Sequence, residues 1–433
     1  MVHTPFYLLI ILIFLQLLPF PAFAQNNDNE IAVNSNLTAT NGTEPWLLSP
    51  SGDFAFGFSQ VKGRNQFLLC IWYAKIKDLT IVWHANTTTS GVPQGSTVQL
   101  DTENGLVLRD PQGNRLWRSD GYVGKVAYGS LYNTGKLALS GSDHTVLWDT
   151  FAHPTDTLLP TQEMKNGSSL MSLKSEVNFS QGRFYLQLLE NGNLVLATKT
   201  VPTNVDYDAV YYTRQTNSGY KLIFTDKGSL SLLKTDNTTE TLISLSDSIV
   251  KENYLRLTLN FDGVLALYGY PKASSGGNQK WVPQWTQPDN ICISITGEKG
   301  SGACGYNNVC SPGPDKRPSC KCPQSYSLVD PGDVYGSCKP DFVPTCGGGG
   351  GGGGGSSSNL SFVEVKDTDW PLSDFEQINP SGMEECKRAC LEDCFCAVAI
   401  FRSNSCWKKK LPLSNGRIDT SLGATAFLKV QSE

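Results

Sequence analysis

From about residue 28 to residue 290, apolar and polar positions alternate in short runs, Thr97-Val98-Gln99-Leu100 and Tyr185-Leu186-Gln187-Leu188 among them. Gly, Asn, Asp and Pro break these runs at close intervals. A period of two sends alternate side chains to opposite faces of a strand. Runs this short, with turn residues between them, predict sandwiches, prisms or barrels rather than βαβ units. A unit recurs inside the pattern: a turn residue, a glycine, then alternating apolar positions. Its six copies begin with the pairs Ser51-Gly52, Asn104-Gly105, Thr134-Gly135, Asn191-Gly192, Lys227-Gly228 and Asp262-Gly263. Each reads as a tight turn with glycine at positive φ, feeding a strand whose alternate side chains enter a core. Six copies predict a pseudo-symmetric array of hairpins; unrelated hairpins that share a common polar-glycine turn are the plainer reading.

Past residue 291 the alternation fades and cysteine takes over, with twelve of the thirteen cysteines lying there. They fall into two sets of six, Cys292 to Cys338 and Cys346 to Cys406, while Cys70 reads as a buried free thiol on a core strand. Between the sets, Gly347–Gly355 and Ser356–Ser358 read as a flexible tether. Met383–Glu392 reads as a short helix with Cys386 and Cys390 four residues apart on one face, and Thr425–Val430 as a closing strand.

Two sets of six cysteines ask for an oxidising compartment, and the N-terminus supplies a route to one. The apolar run Phe6–Phe20, interrupted by Gln16 and Pro19, is followed by Ala22-Phe23-Ala24. That is the pattern of a signal peptide over residues 1–24, too short to span a bilayer. The run has no Lys or Arg before it, which leaves a signal anchor open. Seven Asn-x-Ser/Thr sequons, at Asn36, Asn41, Asn86, Asn166, Asn178, Asn237 and Asn359, fit the same compartment. The expected location is secreted, or the outer face of the plasma membrane if a longer product carries a span. The net charge of −5 comes with mixed signs and no basic patch, which argues against nucleic acid and electrostatic membrane docking. A length of 433 residues predicts two to four domains.

Ile71-Trp72-Tyr73 with Ile81-Val82-Trp83-His84-Ala85-Asn86 resembles the IWY…VVWVAN signature of bulb-type (mannose-binding) lectin domains. Leu147-Trp148-Asp149-Thr150-Phe151 through Pro154-Thr155-Asp156-Thr157-Leu158-Leu159-Pro160 resembles the LWxSFxxPTDTLLP element of plant S-domain (G-type lectin) receptor-like kinases. The resemblance covers the mature chain and implies a mainly β fold, with tandem β-prism II domains followed by EGF-like and PAN/apple modules. Its boundaries are a first lectin domain at 25–152, a second prism at 153–288, an EGF-like module at 289–340, the tether at 341–360 and a PAN/apple-like module at 361–433. Trp72, Trp83, Trp117 and Trp148 are then expected as packing residues.

In sugar-binding members, each site uses Gln-x-Asp-x-Asn-x-Val-x-Tyr on a strand edge. Registered on this chain, no copy is complete. The copy holding Asn260, Asp262 and Tyr268 and the copy holding Asn191, Asn193 and Val195 come nearest, so carbohydrate binding is expected at these residues if anywhere. Two or three missing hydrogen-bond partners at about 1–3 kcal/mol each are enough to erase a weak monosaccharide affinity. The plainer reading has these residues capping and filling turns. By resemblance, the EGF-like pairing joins Cys292–Cys310, Cys304–Cys320 and Cys322–Cys338, although six cysteines alone permit fifteen connectivities. The PAN/apple pairing joins Cys386–Cys406 and Cys390–Cys396 and leaves Cys346–Cys394. No cofactor or metal is expected: Asp289-Asn290 is a fragment of a calcium site, and the cysteine clusters lack the paired histidines of a zinc site.

The resembling receptors continue into a membrane span and a kinase. Up to Glu433 there is no His-Arg-Asp loop and no Asp-Phe-Gly, and no triad is evident, so no catalysis is expected. The expected function is extracellular recognition, with a glycan, small ligand or receptor ectodomain as partner, through a homo- or heterodimer if dimerisation is used. A working mannose lectin is the alternative.

Overall fold

The computed structural model describes residues 29–42, 44–87, 89–199, 206–273, 279–295, 301–342 and 360–431. The expected signal peptide, Cys346, the glycine run and Asn359 lie outside them.

Three short strands come first, Glu30–Ala32, Asn36–Thr38 and Leu47–Leu48, and each becomes the edge of a different sheet. The sheets are then completed in reverse order. Phe54–Gln60, Gln66–Tyr73 and Ile81–His84 join Leu47–Leu48, with Val92–Pro93 added alongside. Thr97–Asp101, Gly105–Arg109 and Arg115–Arg118 join Asn36–Thr38; Tyr128–Leu131, Leu137–Ser140 and Val146–Asp149 join Glu30–Ala32. The next stretch repeats the plan. Thr157–Leu158, Glu163–Lys165 and Ser169–Ser175 open three more sheets. Asn178–Leu188, Leu194–Lys199 and Asp206–Arg214 close the last of these. Gly219–Phe224, Ser229–Lys234 and Thr239–Ser244 close the second, and Asn253–Leu259, Leu265–Pro271 and Val282–Gln287 the first. The chain therefore holds two three-sheet β prisms with the same nested topology.

The six polar-glycine units fall one to a sheet, each at a hairpin turn. Gly52, Gly105, Gly135, Gly192, Gly228 and Gly263 have φ between 65° and 91°. Space as well as φ excludes a side chain at several of these positions: a Cβ at Gly192 would stand 2.4 Å from the Gly219 nitrogen, and one at Gly263 2.6 Å from the Phe184 ring. The large apolar residues that follow each turn point inward, Phe54 and Phe56 after Gly52 and leucines after the others, among them Leu106, Leu108, Leu230 and Leu232, all four without exposure. Burying each such side chain is worth about 1.5–3 kcal/mol.

At the centre of the first prism, each sheet contributes one tryptophan from its last strand. Trp83, Trp117 and Trp148 meet edge to face with centroids 5.8, 6.1 and 6.1 Å apart, the arrangement that aromatic quadrupoles favour. The outer strands of the second prism bring Tyr212, Ile243 and Trp285 against its core instead. Trp72 stands apart from the triad, half-buried against Val61, Leu68 and the free thiol of Cys70. Burial pushes that thiol far above its ordinary pKa.

In the cysteine-rich part, disulfides join Cys292 to Cys310, Cys304 to Cys320, Cys322 to Cys338, Cys386 to Cys406 and Cys390 to Cys396. Cys394 is also disulfide-bonded. Loops of this size gain about 3 kcal/mol per bridge from restriction of the unfolded chain. The helix Met383–Leu391 places Cys386 and Cys390 in a small core with Cys396, Cys406 and Phe427. A five-stranded sheet containing Thr425–Gln431 packs beside it. The two cysteine blocks also share one sheet, in which Val309–Pro312 and Pro318–Lys321 of the first join Thr368–Asp369 and Arg417–Ile418 of the second. The fully buried Trp370 seals this seam by donating its Nε1–H to the Asn308 carbonyl at 3.1 Å.

Candidate functional site

The two prisms meet over a polar and aromatic junction. Tyr73 donates its hydroxyl to the Leu255 carbonyl at 2.8 Å, and Tyr254 donates to Asp53 Oδ1 at 2.8 Å. Trp281 donates its Nε1–H to Thr80 Oγ1 at 2.9 Å, and Trp83 donates its own to the His153 carbonyl at 2.9 Å. The Arg256 guanidinium lies over the rings of Tyr268 and Trp281, 4.6 and 4.7 Å from their centroids. These contacts occupy strand edges and faces that isolated prisms would leave to water, and they hold the prisms in one relative orientation.

Two sets of residues at this level are candidates for binding. The first is the pair of sugar-type copies. Asn260, Asp262 and Tyr268 lie together, but their polar groups are engaged internally. Tyr268 donates to Asn260 Oδ1 at 3.1 Å, and Asn260 Nδ2 donates to the Val264 carbonyl at 2.7 Å. Asp262 accepts from the Val264 amide and forms an ion pair with Arg317 of the first cysteine block, Nε to Oδ2 2.5 Å. Arg317 also caps the Phe261 ring, 4.8 Å from its centroid. Burial raises the Asp262 carboxyl above its ordinary pKa against the pull of Arg317 and the Val264 amide, while Arg317 is held above its own value by Asp262 despite burial. The strand face expected to carry a sugar, if any does, is thus a socket for the next block. The other copy lies in a different sheet. Asn193 Oδ1 accepts from the Thr216 and Asn217 amides, both at 3.0 Å, Val195 is buried, and Asn191 is exposed, with its Oδ1 accepting the Asn193 amide at 3.1 Å.

The second candidate is a cleft of about 650 Å³ between the prisms, within the ~300–1,000 Å³ usual for small-molecule sites. One wall is the open end of the tryptophan triad with Arg115 and Arg118; the other comes from Ser169–Ser175 and Asn178–Leu188 of the second prism, with Phe179 and Gln181 facing in. His153, itself exposed, stacks on Trp148 at 5.3 Å and 13° and extends the aromatic wall to the surface. His84 is set into this wall, 5 % exposed, with the Phe179 ring edge-on at 5.6 Å. Burial lowers its pKa and raises that of nearby Asp156, so both tend towards the neutral form. The expectation from sequence did not include this cleft. The signal available was His84 itself, which stands where the VVWVAN signature has its third valine.

Five sequon asparagines, Asn36, Asn41, Asn86, Asn166 and Asn237, are exposed, and Asn178 is half-buried. Asn86 lines the rim of the cleft. Among the described residues, no group of three or more His, Cys, Asp or Glu is placed to hold a metal ion, and no helix is long and apolar enough to cross a membrane.

Residues 80–175 match the family described as D-mannose binding lectin. The G-type lectin S-receptor-like serine/threonine-protein kinase LECRK3 of Oryza sativa subsp. indica is 38% identical over 416 residues, covering 92% of this chain and 50% of the relative. LECRK1 of Oryza sativa subsp. japonica is 37% identical over 98% of this chain and 54% of its own length. RLK1 of Arabidopsis thaliana is 38% identical over 98% of this chain and 52% of its own. The chain is a relative of the G-type lectin S-receptor-like kinases. It spans about half the length of these relatives, and the match to them runs through both prisms and both cysteine blocks. The lectin match at 80–175 starts just before the strand Ile81–His84 of the first prism and ends with Ser169–Ser175 of the second, so it takes in residues of both walls of the cleft.

Proposed function

We propose that this lectin-type chain is an extracellular recognition unit without catalytic activity of its own, binding a glycan, a small ligand or a partner receptor ectodomain. The observation that carries the reading is the junction: two prisms fixed in register around a 650 Å³ cleft lined by aromatic and polar groups. The disulfides and the exposed sequons support a secreted or cell-surface setting, reached through the signal peptide at 1–24. The first cysteine block serves as an EGF-like spacer and the second as a PAN/apple-like surface for partners, homo- or heterodimeric. The working-mannose-lectin alternative is disfavoured by the engagement of Asp262 with Arg317 and of Asn193 with the 216–217 backbone.

The test is a glycan array and a panel of receptor ectodomains probed with the folded, oxidised, secreted chain. Binding to one class is the expected result. A mannose-type signal lost in Asn191→Ala would install the alternative, and silence towards both panels would overturn the recognition reading.

A further inference from the structure

The charge and hydrogen-bonding character of the inter-prism cleft narrows what fits it. Its charged lining is Arg115, Arg118 and Asp120, and Arg118 is already paired with Asp120. Arg115 is exposed and has no side-chain partner among the described residues. The cleft therefore offers one uncommitted guanidinium in a chain whose net charge is −5. A guanidinium fork binds carboxylates bidentately, which a neutral sugar cannot use. Trp117 and the exposed His153 line the same cleft, and flat rings are the surface on which the apolar face of a pyranose packs.

His84 adds a third requirement. Its Nδ1 lies 3.3 Å from the Ala85 carbonyl oxygen. A carbonyl only accepts, so Nδ1 carries the hydrogen and Nε2 keeps its lone pair. That Nε2 is buried and unpartnered. It lacks a donor, and because it has essentially no accessible surface a ligand hydroxyl reaches it only with a small side-chain shift in the wall. Anion, apolar ring face and hydroxyl donor together describe a sugar acid.

We infer that the inter-prism cleft is a binding site for an acidic saccharide, with Arg115 on the carboxylate, Trp117 and His153 against the ring, and His84 accepting from a hydroxyl. The inference rests on the recognition reading above and names the ligand class for it. Asn86 at the rim makes the chain's own glycan a competing occupant, and the test includes that possibility.

The experiment is calorimetric titration of the full oxidised chain, wild type and Asn86→Gln, with trigalacturonate, its methyl ester and mannotriose. Binding of trigalacturonate by both proteins, or by Asn86→Gln alone, at least about tenfold tighter than the ester or the neutral trisaccharide is the expected result. Arg115→Ala, a surface change without a folded-state partner, should lose about tenfold or more of that affinity; Arg115→Lys should keep part of it, and raised salt should weaken it. Equal affinity for acid and ester, or an unchanged Arg115→Ala, overturns the inference. If a receptor ectodomain or a neutral glycan binds and Arg115→Ala leaves it unaffected, the cleft assignment falls while the recognition reading stands. If the folded chain binds no saccharide and no ectodomain, the recognition reading falls with it.

Discussion

Arg317→Ala should destabilise the second prism more than its place near the surface suggests. The Asp262 side chain is fully buried and Arg317 is 21% exposed, and among the described residues the guanidinium is the cation paired with the carboxylate. Without it, Asp262 keeps the Val264 amide at 3.2 Å and no counter-charge. Glu176, 3.7 Å from Arg317 and 71% exposed, adds little either way. Removing one member of a buried pair costs about 3–5 kcal/mol, whereas replacing both with apolar residues of similar volume is often near neutral. The partial exposure of Arg317 places the expectation at the low end, about 3 kcal/mol. For a unit of 150–250 residues at about 2–4 °C per kcal/mol, that is a fall of roughly 6–12 °C in Tm. Differential scanning calorimetry of the oxidised chain reads it, beside the double variant Asp262→Leu/Arg317→Met. A drop below about 2 °C in Arg317→Ala, or an equal drop in the double variant, would refute the claim that an uncompensated carboxylate is the cause.

Trp148→Ala, which empties one of three interlocked positions, should cost about 3–5 kcal/mol and flatten the near-ultraviolet circular dichroism of the first prism; Trp285→Ala, in a core without that triad, should cost less. Gly192→Ala should lower Tm or abolish secretion, since it adds a backbone clash to an αL penalty of about 1–2 kcal/mol, while Gly52→Ala, with no neighbour nearer than 3.6 Å, should show the penalty alone. Lys408, 7% exposed, sits 2.5 Å from both Glu376 and Asp393. Burial opposes its charge, but these hydrogen bonds outweigh it and hold its pKa above the ordinary 10.5. A raised folded pKa means that the stabilisation is complete below pH 10.5 and lost as pH rises through the folded value. The Tm gap between wild type and Lys408→Gln should therefore be full at neutral pH and close above pH 10.5.

The hairpins were legible because their chemistry is local. Each Asn-Gly or Asp-Gly pair needs only its own turn to demand glycine, and each following Leu-x-Leu needs only a core on one side. The strands that open the sheets were not: Glu30–Ala32, Asn36–Thr38 and Leu47–Leu48 are two or three residues long, too short to show a period. The seam between the cysteine blocks was hidden for another reason. It joins Cys310 to Arg417 as a single parallel pair, and no spacing rule connects residues so far apart. The same holds for the site. Asp262 was visible as an acidic residue on a sugar-type strand, but the Arg317 that engages it lies 55 residues on, in another block. The cleft exists only where two prisms face each other, so its wall of Arg115, His153 and Phe179 has no signature in any one segment.

The nested order of the strands sets a timetable for synthesis. Glu30 waits for Ser130, 100 residues away, and Thr157 for Thr258, 101 away. As the chain emerges, the innermost sheet around Phe54–Tyr73 can pair at once, the opening strand of the next must wait for Thr97–Asp101, and that of the outermost for Tyr128–Leu131, with its sheet completed only by Val146–Asp149. Each prism therefore stays an open bracket until its last sheet arrives, with its earliest strand exposed throughout. Closure entropy over such spans makes folding slow, and the opening strands are too short to template pairing with a neighbouring chain during the wait.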